Sequence, residues 1–377
     1  MQSVSLVATA ILFLLSEKPE TKIKEVFKNL ILVTLVGILL IYLLSFFNSE
    51  NHGEYLKVIK NKIPYLFIPI SLVSVQKLSK QQLIFIQYFF IVCCLYSSGW
   101  SYYQYLQNSE IYADLYARGE VIPTLIHHVS FAVLLCFAAI IVLNNSIHKN
   151  GKTEKIINVF LLIWFIYFLH ILSVRTGILL LYVSLFLYGV ILLITQKKIV
   201  ITISLFLLLI LSSIIFYQKI PTIKSKIAYT FYGIAQYKNK QDTANVVSDS
   251  RRILSDKIGI EILQKNKMFG VGLGDIKDEM NSIYKQQYPQ FNSEVYSHIH
   301  NQYLYTICGV GLLTGSLFCI LLLLLLFQFI RDKNYVFTLL YGMLLMVMLW
   351  EPFIESQIGN SIFLVVCCVG FLSKKVR

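Results

Sequence analysis

Apolar runs close to 20 residues recur along almost the whole chain, and this recurrence restricts the fold more than any other feature of the sequence. A bilayer core about 30 Å thick requires roughly 20 apolar residues of helix to cross it. Such runs fall at 1–15, 30–47, 63–75, 83–99, 127–144, 157–173, 178–195, 199–217, 302–330, 335–350 and 360–373. The first and third are short, and extend into their flanks or lie partly within the bundle. Charged residues make up 14% of the chain, where a soluble domain carries roughly 25%, and mean hydropathy is +0.67. The expected fold is all-α: a polytopic transmembrane helical bundle of about 11 spans with one large loop outside the cytoplasm. Residues 1–217 form the N-terminal bundle, 218–299 the loop with a surface helix, and 300–377 the C-terminal helices of the same membrane domain.

The formal net charge of +13 invites a nucleic-acid reading, but the distribution of the cations argues for topology instead. One set of alternate loops holds Lys18, Lys22, Lys24, Lys28, Lys77, Lys80, Lys149, Lys152, Lys155, Lys197, Lys198, Arg331, Lys333, Lys374, Lys375 and Arg377, sixteen basic residues. The opposite short loops hold five: Lys57, Lys60, Lys62, Arg118 and Arg175. The positive-inside rule places the first set in the cytoplasm. Eleven spans then leave the N-terminus outside, an arrangement with room for a further helix upstream. The loop 100–126, the turn 173–177 and the long segment 218–299 all face outward. A connection as long as the last is usually functional. The seven cysteines lie in or beside apolar runs, and read as packing residues rather than a disulfide or metal framework. Residues 1–15 lack the basic start and small-residue cleavage site of a secretory signal.

Within the long loop, 251–267 has a helical pattern. Leu254, Ile258 and Ile262 share one face, Asp249 or Ser250 is placed to cap it, and a helix lying along the membrane surface is expected. Arg251 and Arg252 open this helix. They are either solvated charges or, beside a helix N-terminus, part of an anion site. Arg175, between two apolar spans, is either a snorkelling helix-end residue or functional; its planar fork suits phosphate. Gly270-Val271-Gly272-Leu273-Gly274 has GxGxG spacing after a helix, outside the cytoplasm, and reads as a tight turn rather than a nucleotide fingerprint. His298 and His300, two residues apart, do not share a helix face and so do not suit zinc; either is an interfacial residue or a general base near neutral pH. His127, His128 and His170 pose the same question. Glu351 and Glu355 flank the last outer turn, as partners for Arg175 or the loop arginines, or as exposed residues. The bottom-up reading is an outward-facing, phosphate-friendly site of two or three arginines and a histidine, with no intramembrane carboxylate chain to suggest ion coupling.

Several stretches together resemble the O-antigen ligase and O-antigen polymerase superfamily. Ser173-Val174-Arg175-Thr176-Gly177 is similar to its Ser-Arg-x-Gly turn. Arg252 through Gly274 is similar to its arginine-to-glycine-turn segment. His300-Asn301-Gln302-Tyr303-Leu304 with Gly309-Val310-Gly311 is similar to its return helix, and Glu351 through Phe363 to a tail seen in related sequences. The chain departs from the pattern at Asp256, where tryptophan is common, and at Lys267, where proline is common. Members commonly have twelve spans, so this chain looks one helix short at its N-terminus. None of these departures falls on the charged positions of the motifs.

The resemblance implies a metal-independent, cofactor-free membrane glycosyltransferase in the inner membrane of a Gram-negative bacterium, acting at the periplasmic face, with 218–299 as the periplasmic loop. The implied donor is a glycan on undecaprenyl diphosphate. The implied acceptor is lipid A–core in the ligase branch, a growing glycan in the polymerase branch, or a protein hydroxyl in a third. Arg175 and Arg252 would hold the diphosphate, and His300 would activate the acceptor hydroxyl. Arg251, His298, Asn301, Tyr303 and His128 join Arg175 and Arg252 as expected substrate-binding residues. The ligase branch is favoured; a non-enzymatic transporter of a lipid-linked sugar is the alternative of a different class.

Overall fold

A computed structural model of the chain describes residues 24, 26–74, 79–108, 111–112, 115, 120–148, 151–219, 231, 248–288 and 298–374. The expected span at 1–15 lies outside these residues, as do most of 220–247 and 289–297. In chain order the helices are α1 (Leu30–Leu44), α2 (His52–Lys62), α3 (Pro64–Ser74), α4 (Lys80–Gln107), α5 (His128–His148), α6 (Lys152–Leu172), α7 (Arg175–Gln196) and α8 (Ile199–Lys219). They continue with α9 (Ser248–Lys265), α10 (Ile276–Gln287), α11 (Gln302–Arg331), α12 (Tyr335–Val347) and α13 (Gln357–Lys374). No strand occurs among the described residues. Each of the ten expected spans after the first falls on an apolar helix. Six of these helices are long and apolar enough to cross a membrane: α1 with its 3₁₀ extension, α4, α5, α6, α7 and α11. The apolar stretches of α8, α12 and α13 are shorter, and α3 has eleven residues. Large apolar side chains such as Phe85, Phe160, Ile194 and Leu313 are exposed on these helices, as a lipid-facing surface requires.

The chain divides into two compact units. The second comprises Lys80–Ser250 and Tyr335–Val347. Its centre is α5, whose run 129–143 is buried at all but one position against α4, α6, α7 and α12. Association in an apolar solvent relies on close packing of small residues and on interhelical hydrogen bonds, and both occur here. A Cβ on Gly177 would come within 2.6 Å of Ala132, and the Cys136 thiol donates to the Gly177 carbonyl at 3.3 Å. His170 belongs to this packing. It is buried, with Nδ1 2.7 Å from the Ile166 carbonyl and Nε2 2.9 Å from the Tyr182 hydroxyl, so it is a helix-joining residue and not an outward-facing base.

The first unit comprises Met1–Ser79, Arg251–Asn334 and Met348–Arg377. Here α1 packs on α11 and α3. The helix α11 is broken at Gly311, where φ 81° and ψ 170° lie in a region essentially reserved for glycine. The break frees backbone groups that must find partners, and the glycine-rich turn supplies them. Val271 and Gly272 donate their N–H groups to the carbonyls of Cys308 and Gly309, each at 2.9 Å, and the Leu312 N–H donates to the Lys267 carbonyl at 2.9 Å. Gly270 and Gly272 have positive φ, and a Cβ on Gly270 would sit 2.5 Å from the Cys308 carbonyl oxygen. The turn is therefore structural, as its spacing suggested, and is a backbone graft between two segments rather than only a helix end. Asp275 ties it further to the chain after α1, accepting from the N–H groups of Glu50 and Asn51 at 2.7 Å each.

The loop helix differs from expectation at its start and in its surroundings. It is already helical at Ser248, so Asp249 and Ser250 are inside it rather than capping it. Leu254, Ile258 and Ile262 are buried as a face. Beside that face, Gly259 closely approaches Ile299 and Leu304, and its carbonyl accepts from the Cys308 thiol at 3.1 Å. The helix thus docks on protein at its middle, whereas a membrane-surface helix would lay its apolar face in lipid.

Candidate functional site

The start of α11 organises the candidate site. Asn301 is its N-cap, its side-chain oxygen accepting from the Leu304 N–H at 3.0 Å. Part of its hydrogen-bonding capacity is therefore committed to structure rather than free for substrate. The next residue, Gln302, donates its N–H to the Met348 carbonyl at 2.8 Å, which brings the turn after α12 beside the helix start. That turn carries Glu351. From α9 come Arg252 and Asp256, one helical turn apart and so on one face.

These residues converge. Arg252 Nη2 and Glu351 Oε1 form an ion pair, and His300 Nδ1 lies 3.9 Å from Glu351 Oε2. Asp256 Oδ1 accepts from the His300 N–H at 3.1 Å. Burial raises the Asp256 pKa, while the His300 and Arg252 charges and the His300 N–H pull it the other way. The side chains of His300 and Arg252 remain 30% and 29% exposed. Asp256, which stands where the family commonly has tryptophan, thus fixes the backbone at His300. His300 Nδ1 is buried without a hydrogen bond among the described residues. A carboxylate at 3.9 Å is too far for a hydrogen bond, yet catalytic contacts commonly tighten when substrate binds. A proton on Nδ1, facing the carboxylate, leaves Nε2 as the basic nitrogen. A guanidinium has five N–H donors, so pairing with Glu351 still leaves Arg252 donors for an anion.

The other expected residues are placed elsewhere. His298 is exposed and lines a separate cavity with Glu54, Asn61 and Tyr305, so the two histidines do diverge. Arg251 makes no ion pair among the described residues and does not join the cluster. Tyr303 is partly buried on the first turn of α11. Arg175 and His128 belong to the second unit. Arg175 is partly buried as the first residue of α7, after a left-handed Ser173 (φ 50°) and a Val174 that gives no side-chain cap. His128 opens α5, its ring 4.4 Å from that of His127. Of the two outer glutamates, Glu351 does pair with a loop arginine, but Glu355 pairs with Lys62. Among the described residues no group of three or more His, Cys, Asp and Glu is placed to hold a metal ion.

Sequence reading missed a second polar cluster altogether. Lys62 was counted as a loop charge, yet it is fully buried. Its ammonium donates to the Ile354 carbonyl at 2.6 Å and to Glu355 Oε1 at 3.3 Å, and stands 4.6 Å from the Tyr42 ring centroid. The same Oε1 accepts from the Tyr42 hydroxyl and from Gln302 Nε2 at 2.7 Å. A lysine closing an amphipathic helix that follows an apolar span was the available signal.

The fold and site define a multi-pass helical membrane protein bearing an arginine–glutamate–histidine constellation at a helix start. A family model described as O-antigen ligase matches residues 159–319, a stretch that holds Arg175, Arg252, Asp256 and His300. The match supports the O-antigen ligase and polymerase superfamily for this chain, and with it a ligase or polymerase type of function. No curated protein matches the chain.

Proposed function

We propose that the protein is an O-antigen ligase-like glycosyltransferase of the inner membrane. It moves a glycan from undecaprenyl diphosphate to a lipid A–core acceptor at the periplasmic face. The observation that carries this reading is the placement of His300 and Arg252 on the two sides of one carboxylate, Glu351. Attack of the acceptor oxygen on the anomeric carbon forms the new glycosidic bond and breaks the bond to the diphosphate, which leaves with both electrons. His300 Nε2 takes the hydroxyl proton as that bond forms. Glu351 orients the ring and stabilises the resulting imidazolium. Arg252 faces the leaving phosphate, whose charge grows in the transition state. In this reading Arg175 keeps the phosphate-binding role that the resemblance of 173–177 to the family's Ser-Arg-x-Gly turn implies.

The test is Arg252→Lys and Arg175→Lys in proteoliposomes with a lipid-diphosphate-linked glycan. Lysine keeps the charge and loses the bidentate fork, so each variant should insert normally, bind donor more weakly and lose most transfer. Wild-type transfer by either variant removes that arginine from the diphosphate.

A further inference from the structure

The first unit contains a cavity of about 190 Å³ apart from the His300 cluster, lined by Glu54, Asn61, His298, Tyr305 and Glu355 among others, with Lys277 also at its wall. Its most unusual wall is Glu355. One carboxylate oxygen, Oε1, takes three donors from within the protein: Tyr42, Gln302 and the buried Lys62. The other, Oε2, accepts from no described residue. Holding a lysine and a glutamate out of water is costly, and such pairs are weak evidence for stability. Here the arrangement keeps a carboxylate fixed, with one acceptor oxygen left for whatever occupies the cavity. The Tyr305 hydroxyl likewise has no hydrogen-bond partner among the described residues, and Asn61, which donates to the Glu355 carbonyl at 3.2 Å, keeps its own side-chain oxygen uncommitted.

The charges decide the chemical class of the occupant. Glu54 is paired with Lys57 at 2.6 Å, and Glu355 with Lys62, so the wall offers carboxylate acceptors whose charge is already balanced. The wall carries two lysines, Lys57 and Lys277, against two carboxylates, Glu54 and Glu355, so it selects a ligand that both accepts and donates hydrogen bonds rather than one of either charge. A neutral, hydroxyl-rich molecule meets acceptors at Glu355, Glu54 and Asn61, donors at Lys277 and Tyr305, and the Tyr305 side chain to pack on. The volume equals that of roughly six waters, which gives room for one sugar ring. We propose that this cavity is a subsite for a single neutral sugar ring of the acceptor glycan, with Glu355 Oε2 accepting from a ring hydroxyl. Calling the ring the acceptor's rests on the transferase reading; the binding itself does not.

The experiment is saturation-transfer NMR on the full-length protein in nanodiscs, with methyl glucoside, N-acetylglucosamine and inorganic phosphate as probes. At least one neutral sugar should show ring-proton saturation. Tyr305→Phe and Glu54→Gln, which lie outside the buried network, should weaken it severalfold, and Glu355→Gln should abolish it. Should Glu355→Gln fail to fold, the Tyr305 and Glu54 variants decide. Phosphate binding without sugar binding, or sugar binding indifferent to Tyr305→Phe and Glu54→Gln, overturns the proposal. Sugar binding together with normal transfer by His300→Ala leaves the subsite standing and sinks the transferase mechanism. Absent sugar binding with His300-dependent transfer does the reverse.

Discussion

Replacing Glu351 by glutamine keeps the shape of the side chain and removes the charge that pairs with Arg252 and lies beside the His300 ring. Two effects follow, and the structure sizes each. Exposed ion pairs contribute about 0.2–1 kcal/mol, whereas breaking a buried pair costs about 3–5 kcal/mol. Glu351 is 14% exposed and Arg252 29%, so solvent screens part of the loss, and a cost of about 1–2 kcal/mol is expected. On the chemical side, general-base assistance is worth about 10²–10⁴-fold. A histidine that loses its orienting carboxylate keeps its basic nitrogen and forfeits part of that factor, about 10–10²-fold. The assay is single-turnover glycan transfer alongside thermal unfolding in the same detergent, for Glu351→Gln, His300→Ala and the double variant. If Glu351 acts through His300, the double variant is no slower than His300→Ala alone, because residues acting as a unit are not additive. Full additivity, or wild-type transfer by Glu351→Gln, refutes the orienting role and leaves Glu351 as a structural partner of Arg252.

Lys62→Met leaves Glu355 without its buried counter-charge and should lower stability by about 3–5 kcal/mol, read as a reduced melting temperature; Lys62→Met with Glu355→Gln should recover part of it. Gly311→Ala places a Cβ 2.1 Å from the Met268 carbonyl oxygen at φ 81°, so the graft between the glycine turn and α11 should open, seen as proteolysis near residues 267–272. Cysteine probes in 276–287 should react from outside the inner membrane and probes at 151–155 should not; external labelling of the latter reverses the orientation and the proposed face of action.

The apolar helices were legible because bilayer thickness imposes a length and a composition that survive without knowledge of partners. So was the buried face Leu254, Ile258 and Ile262, since a 3.6-residue period marks it directly. The glycine turn was legible as structure but not as a graft, because its partners, Cys308 and Gly309, are more than thirty residues away. Lys62 was misplaced for a physical reason: counting loop charges assigns every lysine to water, and only the coincidence of Glu355, Tyr42 and Gln302 makes its burial affordable. The helix Ile276–Gln287 went unread although Ile276, Met280, Ile283 and Tyr284 form its buried stripe. In the site itself, His300 and Arg252 came from motifs, while Glu351 and Asp256 became part of it only through contacts that no local pattern encodes.

The central claim is that His300 takes the acceptor proton, and the most direct measurement is single-turnover transfer at saturating donor and acceptor for His300→Ala against His298→Ala. General-base help predicts a loss of about 10²–10⁴-fold for His300→Ala with donor binding retained. His298 points to the separate cavity, and its alanine variant should stay close to wild type under the same saturation. Loss of transfer in His298→Ala with His300→Ala unaffected, or indifference to both, contradicts the assignment.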